Sequence, residues 1–260
     1  MELKITLTLV KGPYLPINYQ YELSSWIYKV IERADSEYSN FLHNEGFQSD
    51  GKQFRMFTFS QVDFRPYEIQ GDKIKLLGKK VSFIVRFAVD SSMEHFIKGL
   101  FMQQQFMLGD KSTRVDFEVT GVETIAPPTF QTVMKYQCLS PICVSRLRDD
   151  HTTEYLSPEA VGYGKLLVQN LMRKSSALVS TTRNSEALPD FQFRLLNTPR
   201  KKGVHIKVNT SAHTQVVGYL FHFELTAPVE LQELGYDAGF GEKNSMGFGC
   251  VELLKVQKDD

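Results

Sequence analysis

Hydrophobic and polar residues alternate from the start of the chain. Leu3, Ile5, Leu7 and Leu9 share one side with Lys4, Thr6 and Thr8 opposite, the period of a half-buried strand. A loop containing Gly12, Pro13 and Pro16 follows, and the period then changes. Leu23, Trp26, Ile27, Val30 and Ile31 recur at helical spacing and predict a helix with one apolar stripe. A short helical piece over 36–43 comes next, then strand-like stretches at 54–60 and a hairpin turning at Gly71-Asp72. Val81, Phe83, Val85, Phe87 and Val89 alternate as a further strand. Ser91 or Ser92 is placed to cap a second helix, whose stripe is Met93, Phe96, Ile97, Leu100 and Phe101. Val115, Phe117 and Val119 form a closing strand. The order strand, helix, strands, helix, strand is the split βαβ arrangement called ferredoxin-like.

Pro127-Pro128 punctuates the chain at its midpoint and predicts a boundary between residues 1–126 and 129–260. The second half echoes the first. Strands over 133–144 precede Ser157-Pro158-Glu159, which reads as a cap with proline at the first helical position, opening a helix to about 175. Phe191, Phe193 and Leu195 alternate, as do Val204, Ile206 and Val208, and then Val217, Tyr219, Phe221 and Phe223. Pro228 opens a short helix stopped near Gly235, and a last strand covers 248–256. The expected fold class is α+β, with two tandem ferredoxin-like domains of similar topology. A length of 260 residues, at ~150 residues per domain, suits that organisation.

Composition changes the picture little. Hydrophobic residues are 42% and charged residues 23%, a globular balance that excludes a disordered or fibrous chain. No apolar run approaches the ~20 residues of a membrane span, and the alternating start is unlike a signal peptide. A soluble, cytoplasmic protein is expected. Cys138, Cys143 and Cys250 form no CxxC pair, so neither a disulfide framework nor a zinc site is indicated.

Charge is more informative in its distribution. Thirty basic residues balance thirty acidic ones, yet from Lys165 to Lys207 nine Lys/Arg meet only Glu186 and Asp190. That segment is net +7 and the remainder −7. Such asymmetry fits one face built for a polyanion, and equally a solvated, charge-rich loop region.

The most specific motif lies near the C-terminus, where Gly239-Phe-Gly241 and Gly247-Phe-Gly249 flank a polar stretch with Lys243, Asn244 and Ser245. Glycine permits positive φ and close backbone approach, and turn N–H groups can cradle phosphate. The motif is neither a Walker loop nor a dinucleotide fingerprint. The same glycines would also suit a tight hairpin with no ligand.

This pattern resembles the C-terminal glycine-rich loop of the RAMP superfamily. More narrowly, the chain resembles the CRISPR-associated endoribonucleases that cut repeat RNA into guide RNAs. Tyr28-Lys29, Phe41-Leu42-His43-Asn44-Glu45, Met56-Phe57-Thr58-Phe59-Ser60 and Leu139-Ser140-Pro141-Ile142 resemble that family's motifs in the same order, and the likeness runs from about residue 1 to 255. It implies two ferredoxin-like domains, as the periodicity does.

The resemblance also implies roles. His43 would be a catalytic general acid or base, and Tyr28, off the apolar stripe of its helix, would lie beside the reacting 2′-hydroxyl. A lysine just before the Phe-Thr-Phe-Ser strand would stabilise the phosphate. Here the sequence departs from the pattern: Arg55 stands nearest, Lys52 is the nearest lysine, and the two cations differ in geometry. Lys52 is the expected stabiliser, with Arg55 beside it or in its place.

RNA supplies its own nucleophile, so cleavage needs only a base, an acid and a charge stabiliser, and no cofactor or metal is called for. The expected products are a 2′,3′-cyclic phosphate and a 5′-hydroxyl. Lys165, Arg173, Lys174, Arg183, Arg194, Arg200, Lys201, Lys202 and Lys207 are candidate phosphate contacts, and His205 shares a strand face with Lys207. Gly239, Gly241, Lys243, Asn244, Ser245 and Gly247 would form part of the RNA path. The implied partners are CRISPR repeat RNA, as precursor and as mature guide, and the proteins of an interference complex, with homodimerisation left open. The competing expectation is a catalytically silent RAMP subunit that only holds guide RNA.

Overall fold

The computed structural model describes residues 1–110, 113–179, 187–206 and 213–254. The first half contains β1 (Glu2–Lys11), β2 (Tyr14–Pro16), α1 (Gln20–Ala34) and α2 (Ser36–Asn40), which runs into a π-helical turn over Phe41–Glu45. Then come β3 (Phe47–Ser49), β4 (Lys52–Phe54), β5 (Phe57–Phe59), β6 (Tyr67–Gln70), β7 (Lys73–Leu76), β8 (Lys80–Phe87), α3 (Asp90–Met102), β9 (Gln105–Gly109) and β10 (Arg114–Ile125). The second half contains β11 (Val133–Cys138), β12 (Ser145–Leu147), β13 (Thr153–Tyr155), α4 (Tyr163–Val179), β14 (Gln192–Leu195), β15 (Arg200–Ile206), β16 (Thr214–Leu220), β17 (His222–Thr226), α5 (Val229–Ala238) and β18 (Val251–Leu253).

The first sheet runs β5-β8-β1-β10-β9, antiparallel throughout. With β1, β5, β8 and β10 as the four principal strands, and α1 and α3 as the crossovers, this is the ferredoxin-like order with one extra edge strand. The second sheet runs β14-β17-β11-β18, the same order, with α4 and α5 as crossovers. The chain therefore folds as two tandem ferredoxin-like units joined by the proline-containing stretch between β10 and β11. In the first core Leu3, Ile5 and Leu7 of β1 meet Leu23, Ile27 and Val30 of α1, all fully buried. The second is built around Tyr136, Leu167, Leu171, Phe223 and Phe240.

Several expectations are corrected in detail. The 54–60 stretch is broken at Met56, whose φ of 53° cannot continue a strand. Helix α3 starts at Asp90 with no side-chain cap, because Ser91 and Ser92 turn their hydroxyls to Tyr38 instead. Phe101 leaves the apolar stripe and is exposed. Edge strand β9 was invisible to the pattern because Phe106, Met107 and Leu108 form an unbroken apolar run although Met107 faces solvent. Ser157-Pro158-Glu159 forms a turn rather than a cap, and α4 starts only at Tyr163. The alternation over Val217–Phe223 divides into β16 and β17, and β16 buries Val216 and Gly218 rather than Val217. Helix α5 passes through Gly235, whose missing side chain leaves room for the ring of Phe240, and stops at Gly239. Val208 and the end of the last predicted strand lie outside the described residues.

The two units are tied by buried polar contacts. Arg86 of β8, fully buried, donates through Nε to Glu2 Oε2 at 2.9 Å and lies 3.6 Å over the ring of Tyr236. The Tyr236 hydroxyl donates to the same carboxylate oxygen at 2.7 Å, and Arg86 also donates to the carbonyl of Val251. Thr58 Oγ1 donates to the Phe248 carbonyl at 2.9 Å, pinning β5 against the glycine-rich loop. Buried charges of this kind must be paired, and here each reaches across from one half to the other.

Candidate active site

A cleft of about 800 Å3 opens between the two units. From the first unit it is lined by Tyr28, His43, Lys52 and Arg55, and from the second by Lys174, Gly241, Lys243, Asn244 and Ser245. The sequence reading named all nine.

His43 sits in the π-helical turn that ends α2. Such turns re-aim a side chain that a regular helix would point elsewhere. The imidazole is exposed, and Nδ1 lies 3.1 Å from Asn44 Oδ1, an arrangement that suits Nδ1–H donating and leaves Nε2 to the cleft. Tyr28 projects from α1 and meets the His43 ring edge-on, with centroids 5.6 Å apart, while its other side packs on Phe57. Burial pushes the Tyr28 phenol above its ordinary value, against the opposing pull of Ser245 and Arg55 beside it. At neutral pH it is a hydrogen-bond donor and not a base.

The two candidate cations do different things. Arg55 donates to the His43 carbonyl at 2.7 Å, to Gln53 Oε1 at 3.2 Å and to the Glu45 carbonyl at 3.4 Å, so it holds the loop that carries His43. Lys52, on the β3–β4 hairpin, reaches across the cleft to Glu242 Oε1 at 3.2 Å. Glu242 in turn accepts from Ser145 Oγ at 2.6 Å. An exposed pair of this sort is worth little, and a phosphate could take the lysine from the carboxylate at small cost.

The opposite wall is the glycine-rich loop, which is built from inside by Lys174. This side chain is 2% exposed. Its ammonium donates to the Gly239 carbonyl at 2.6 Å, to the Gly241 carbonyl at 2.9 Å and to Asn244 Oδ1 at 2.7 Å. Asn244 Nδ2 then donates to the carbonyls of Phe240 and Phe248, both at 3.1 Å, which closes the loop on itself. Burial pulls the Lys174 ammonium down to about 7, and Glu242 opposes that pull. Expected as a phosphate contact, Lys174 is turned inward and supports the loop. Gly241 has φ of 71°, and a Cβ there would fall 2.3 Å from the Cys143 carbonyl oxygen, so only glycine fits. Gly239 and Gly247 lie behind the cleft, against Thr58 and Phe59 respectively. The N–H groups of Phe240, Glu242, Met246, Gly247 and Gly249 are spent on internal bonds, so the loop offers side chains more than an open row of donors.

The other predicted contacts do not line this cleft. Arg173 lies 3.8 Å from Asp50, and Arg194 pairs with Glu224 at 2.9 Å. Lys165, Lys201 and Lys202 are exposed elsewhere on the second unit. His205 is bonded to His213 at 2.9 Å on the β15–β16 hairpin. Arg183 and Lys207 lie outside the described residues. Conversely, the cleft contains Tyr21, Ser24 and Ser25, which share the Tyr28 face of α1, and Asn170, whose buried Oδ1 has no partner. Helical spacing from Tyr28 could have found the serines, whereas nothing in the pattern marked Glu242.

Two family models, described as CRISPR-associated protein Cas6, N-terminal, and CRISPR associated protein Cas6, C-terminal, match residues 14–123 and 125–253. The chain belongs to the Cas6 family. It is 28% identical over 254 residues to the CRISPR-associated endoribonuclease Cas6 1 of Methanocaldococcus jannaschii, covering 96% of this chain and 92% of the relative. Among solved structures, that of a Cas6-related gene from Pyrococcus furiosus superposes with a TM-score of 0.81 at 25% identity, covering 99% of each chain. A structure described as a RAMP protein binding different RNA substrates gives 0.79 at 23% identity, covering 98% of this chain and all of that one, and shares the fold. The Cas6 boundary between the two matched segments falls at the junction of β10 with the linker. Among the described residues no helix is long and apolar enough to cross a membrane.

Proposed function

We propose that this Cas6 protein is an endoribonuclease that cleaves CRISPR repeat RNA in precursor transcripts to release guide RNAs, without a metal. The observation that carries the reading is the pairing of an exposed His43 with the Tyr28 phenol at the mouth of a cleft that the glycine-rich loop closes. An endoribonuclease relative matched along nearly the whole chain supports it.

In this mechanism the neutral imidazole of His43 takes the proton of a 2′-hydroxyl that Tyr28 orients by donating a hydrogen bond. The 2′-oxygen attacks the adjacent phosphorus in line, and the O2′–P bond forms as the P–O5′ bond breaks. The departing 5′-oxygen takes up a proton from water, and the imidazolium returns its own to water, so none is gained or lost overall. Lys52 leaves Glu242 to meet the charge that develops on the phosphorane oxygens, and Arg55 keeps the His43 loop in place. Exposed cations on the second unit would track the RNA backbone and fix its register. The guide would then pass to an interference complex.

A catalytically silent RNA-holding subunit would have no use for a free imidazole, and His43 is exposed rather than locked into the core. The test is incubation with cognate repeat RNA in EDTA, beside the same RNA carrying a 2′-deoxy sugar at the cut. The reading requires cutting in EDTA, 2′,3′-cyclic phosphate ends, and no product from the deoxy substrate. Tight binding with no cutting would hand the protein to the silent class.

A further inference from the structure

Ser24 and Tyr28 are four residues apart on α1, so their side chains stand in one row along the helix. The row faces a single 3-10 turn of the glycine-rich loop, Asn244–Met246, which belongs to the other unit. Ser24 Oγ donates to the Ser245 carbonyl at 2.6 Å and so fixes the backbone of that turn against the helix. One helical turn further along, the Ser245 hydroxyl is within hydrogen-bond reach of the Tyr28 phenol, as is the Arg55 guanidinium. Ser245 therefore meets the row at two points, by its backbone and by its side chain.

The turn has little freedom to carry that hydroxyl elsewhere. Lys243 and Gly247 bracket it in left-handed conformations, with φ of 61° and 87°. Met246 N–H donates to the Lys243 carbonyl at 2.9 Å and Gly247 N–H to the Asn244 carbonyl at 3.0 Å. Asn244 Oδ1 accepts from the buried Lys174 ammonium at 2.7 Å. The order that the lysine gives the loop is thus passed to the neighbouring Ser245.

The roles of donor and acceptor follow from the groups themselves. A guanidinium only donates, so the phenol oxygen accepts on the Arg55 side and its hydrogen points away. A serine hydroxyl can donate to the same oxygen, which leaves the phenol hydrogen for a third group in the cleft. In a chain from Ser245 through Tyr28 to a substrate oxygen, each bond strengthens the next. We propose that Ser245 is a positioning residue for the cleavage step: its hydroxyl donates to the Tyr28 oxygen and aims the phenol hydrogen at the 2′-hydroxyl. Its backbone belongs to the loop and its hydroxyl acts on the chemistry through Tyr28. This rests on the nuclease reading, but the bond can be tested apart from cutting.

In single-turnover cutting of cognate repeat RNA at saturating enzyme, Ser245→Ala should slow the reaction about tenfold, with affinity and melting unchanged. Ser245→Thr, which keeps the hydroxyl, should recover most of the rate. The double variant Ser245→Ala, Tyr28→Phe should cut no more slowly than Tyr28→Phe alone, because the serine acts only through that phenol. The second readout is carbon NMR of protein isotope-labelled at the tyrosine ζ-carbon, with the Tyr28 signal identified by its loss in Tyr28→Phe. Removing a donor to the ionised phenol should make Tyr28 in Ser245→Ala give up its proton at higher pH than in wild type. Arg55 and His43, which also face the phenol, stay in place in each variant.

A Tyr28 titration that does not move, or rate losses that multiply in the double variant, overturns the proposal and leaves Ser245 a structural part of the loop. Lost affinity with an unchanged rate at saturating enzyme also overturns it, because Ser245 would then be an RNA contact. If the wild type cuts no RNA, the titration still decides: a shift upholds the bond and sinks only the nuclease reading, whereas no shift sinks both.

Discussion

The two walls of the cleft are built on opposite principles. The first unit contributes the side chains that meet substrate: exposed His43 in a π-helical turn, exposed Lys52 on a three-residue strand, and half-buried Tyr28 on the cleft side of α1. The second contributes a backbone, folded over a buried lysine whose three hydrogens are all engaged. Reactive groups must meet substrate and exchange partners, so they stand where few contacts hold them. The loop that shapes the cleft must not move, and its order comes from groups that no substrate touches. Chemistry and shape are thereby separable, and substitutions should divide along the same line.

The strongest break of that division is Lys174→Met. Removing a buried ammonium leaves three acceptors without partners, which should cost about 3 kcal/mol of stability. RNA binding and cutting should fall together, by about a hundredfold at a temperature where the variant is still folded. Denaturant melts and single-turnover assays read both effects. A variant that keeps its stability but loses cutting would put Lys174 in the chemistry and erase the distinction.

Tyr28→Phe sharpens the other side. The ring contact with His43 survives while the hydroxyl is lost, so cutting should slow by about thirtyfold with binding within threefold of wild type. Lys52→Ala should slow cutting by about tenfold, because the lysine is half-exposed and its charge acts at the solvent edge. Glu242→Gln, which frees Lys52 from that carboxylate, should not slow cutting. The smallest effect is spectroscopic. The raised Tyr28 phenol gives up its proton later than an ordinary tyrosine, a stabilising contribution present at lower pH and lost as pH rises past the folded value. Ultraviolet titration of wild type against Tyr28→Phe should lose one tyrosine from the late-ionising group.

Much of this was legible in the sequence. The period-two strands and the stripes of α1 and α3 prescribe the first unit, and the same order repeats after Pro127-Pro128. The motifs resembling the repeat nucleases drew Tyr28, His43 and the glycine-rich loop to one place, and the fold brings them together. What escaped were features that no local pattern encodes. Edge strand β9 alternates in burial but not in sequence, because its solvent-facing Met107 is as apolar as the buried Phe106 and Leu108 beside it. The split between Lys52 and Arg55 depends on which partner each finds across the fold. Lys174 was misplaced for a more instructive reason, since counting charge treats every lysine in a basic stretch alike. Its spacing from Leu167 and Leu171 puts it on the buried face of α4, and that phase was readable.

The central claim is that the reaction belongs to His43 on the exposed wall. Its most direct test is His43→Ala in single-turnover cleavage of cognate repeat RNA, with affinity and melting temperature measured on the same preparation. We expect cutting to fall about a thousandfold, with affinity within threefold and melting unchanged, because the imidazole is exposed and makes a single side-chain hydrogen bond. Cutting that continues at the wild-type rate in a folded, RNA-binding variant would contradict the account.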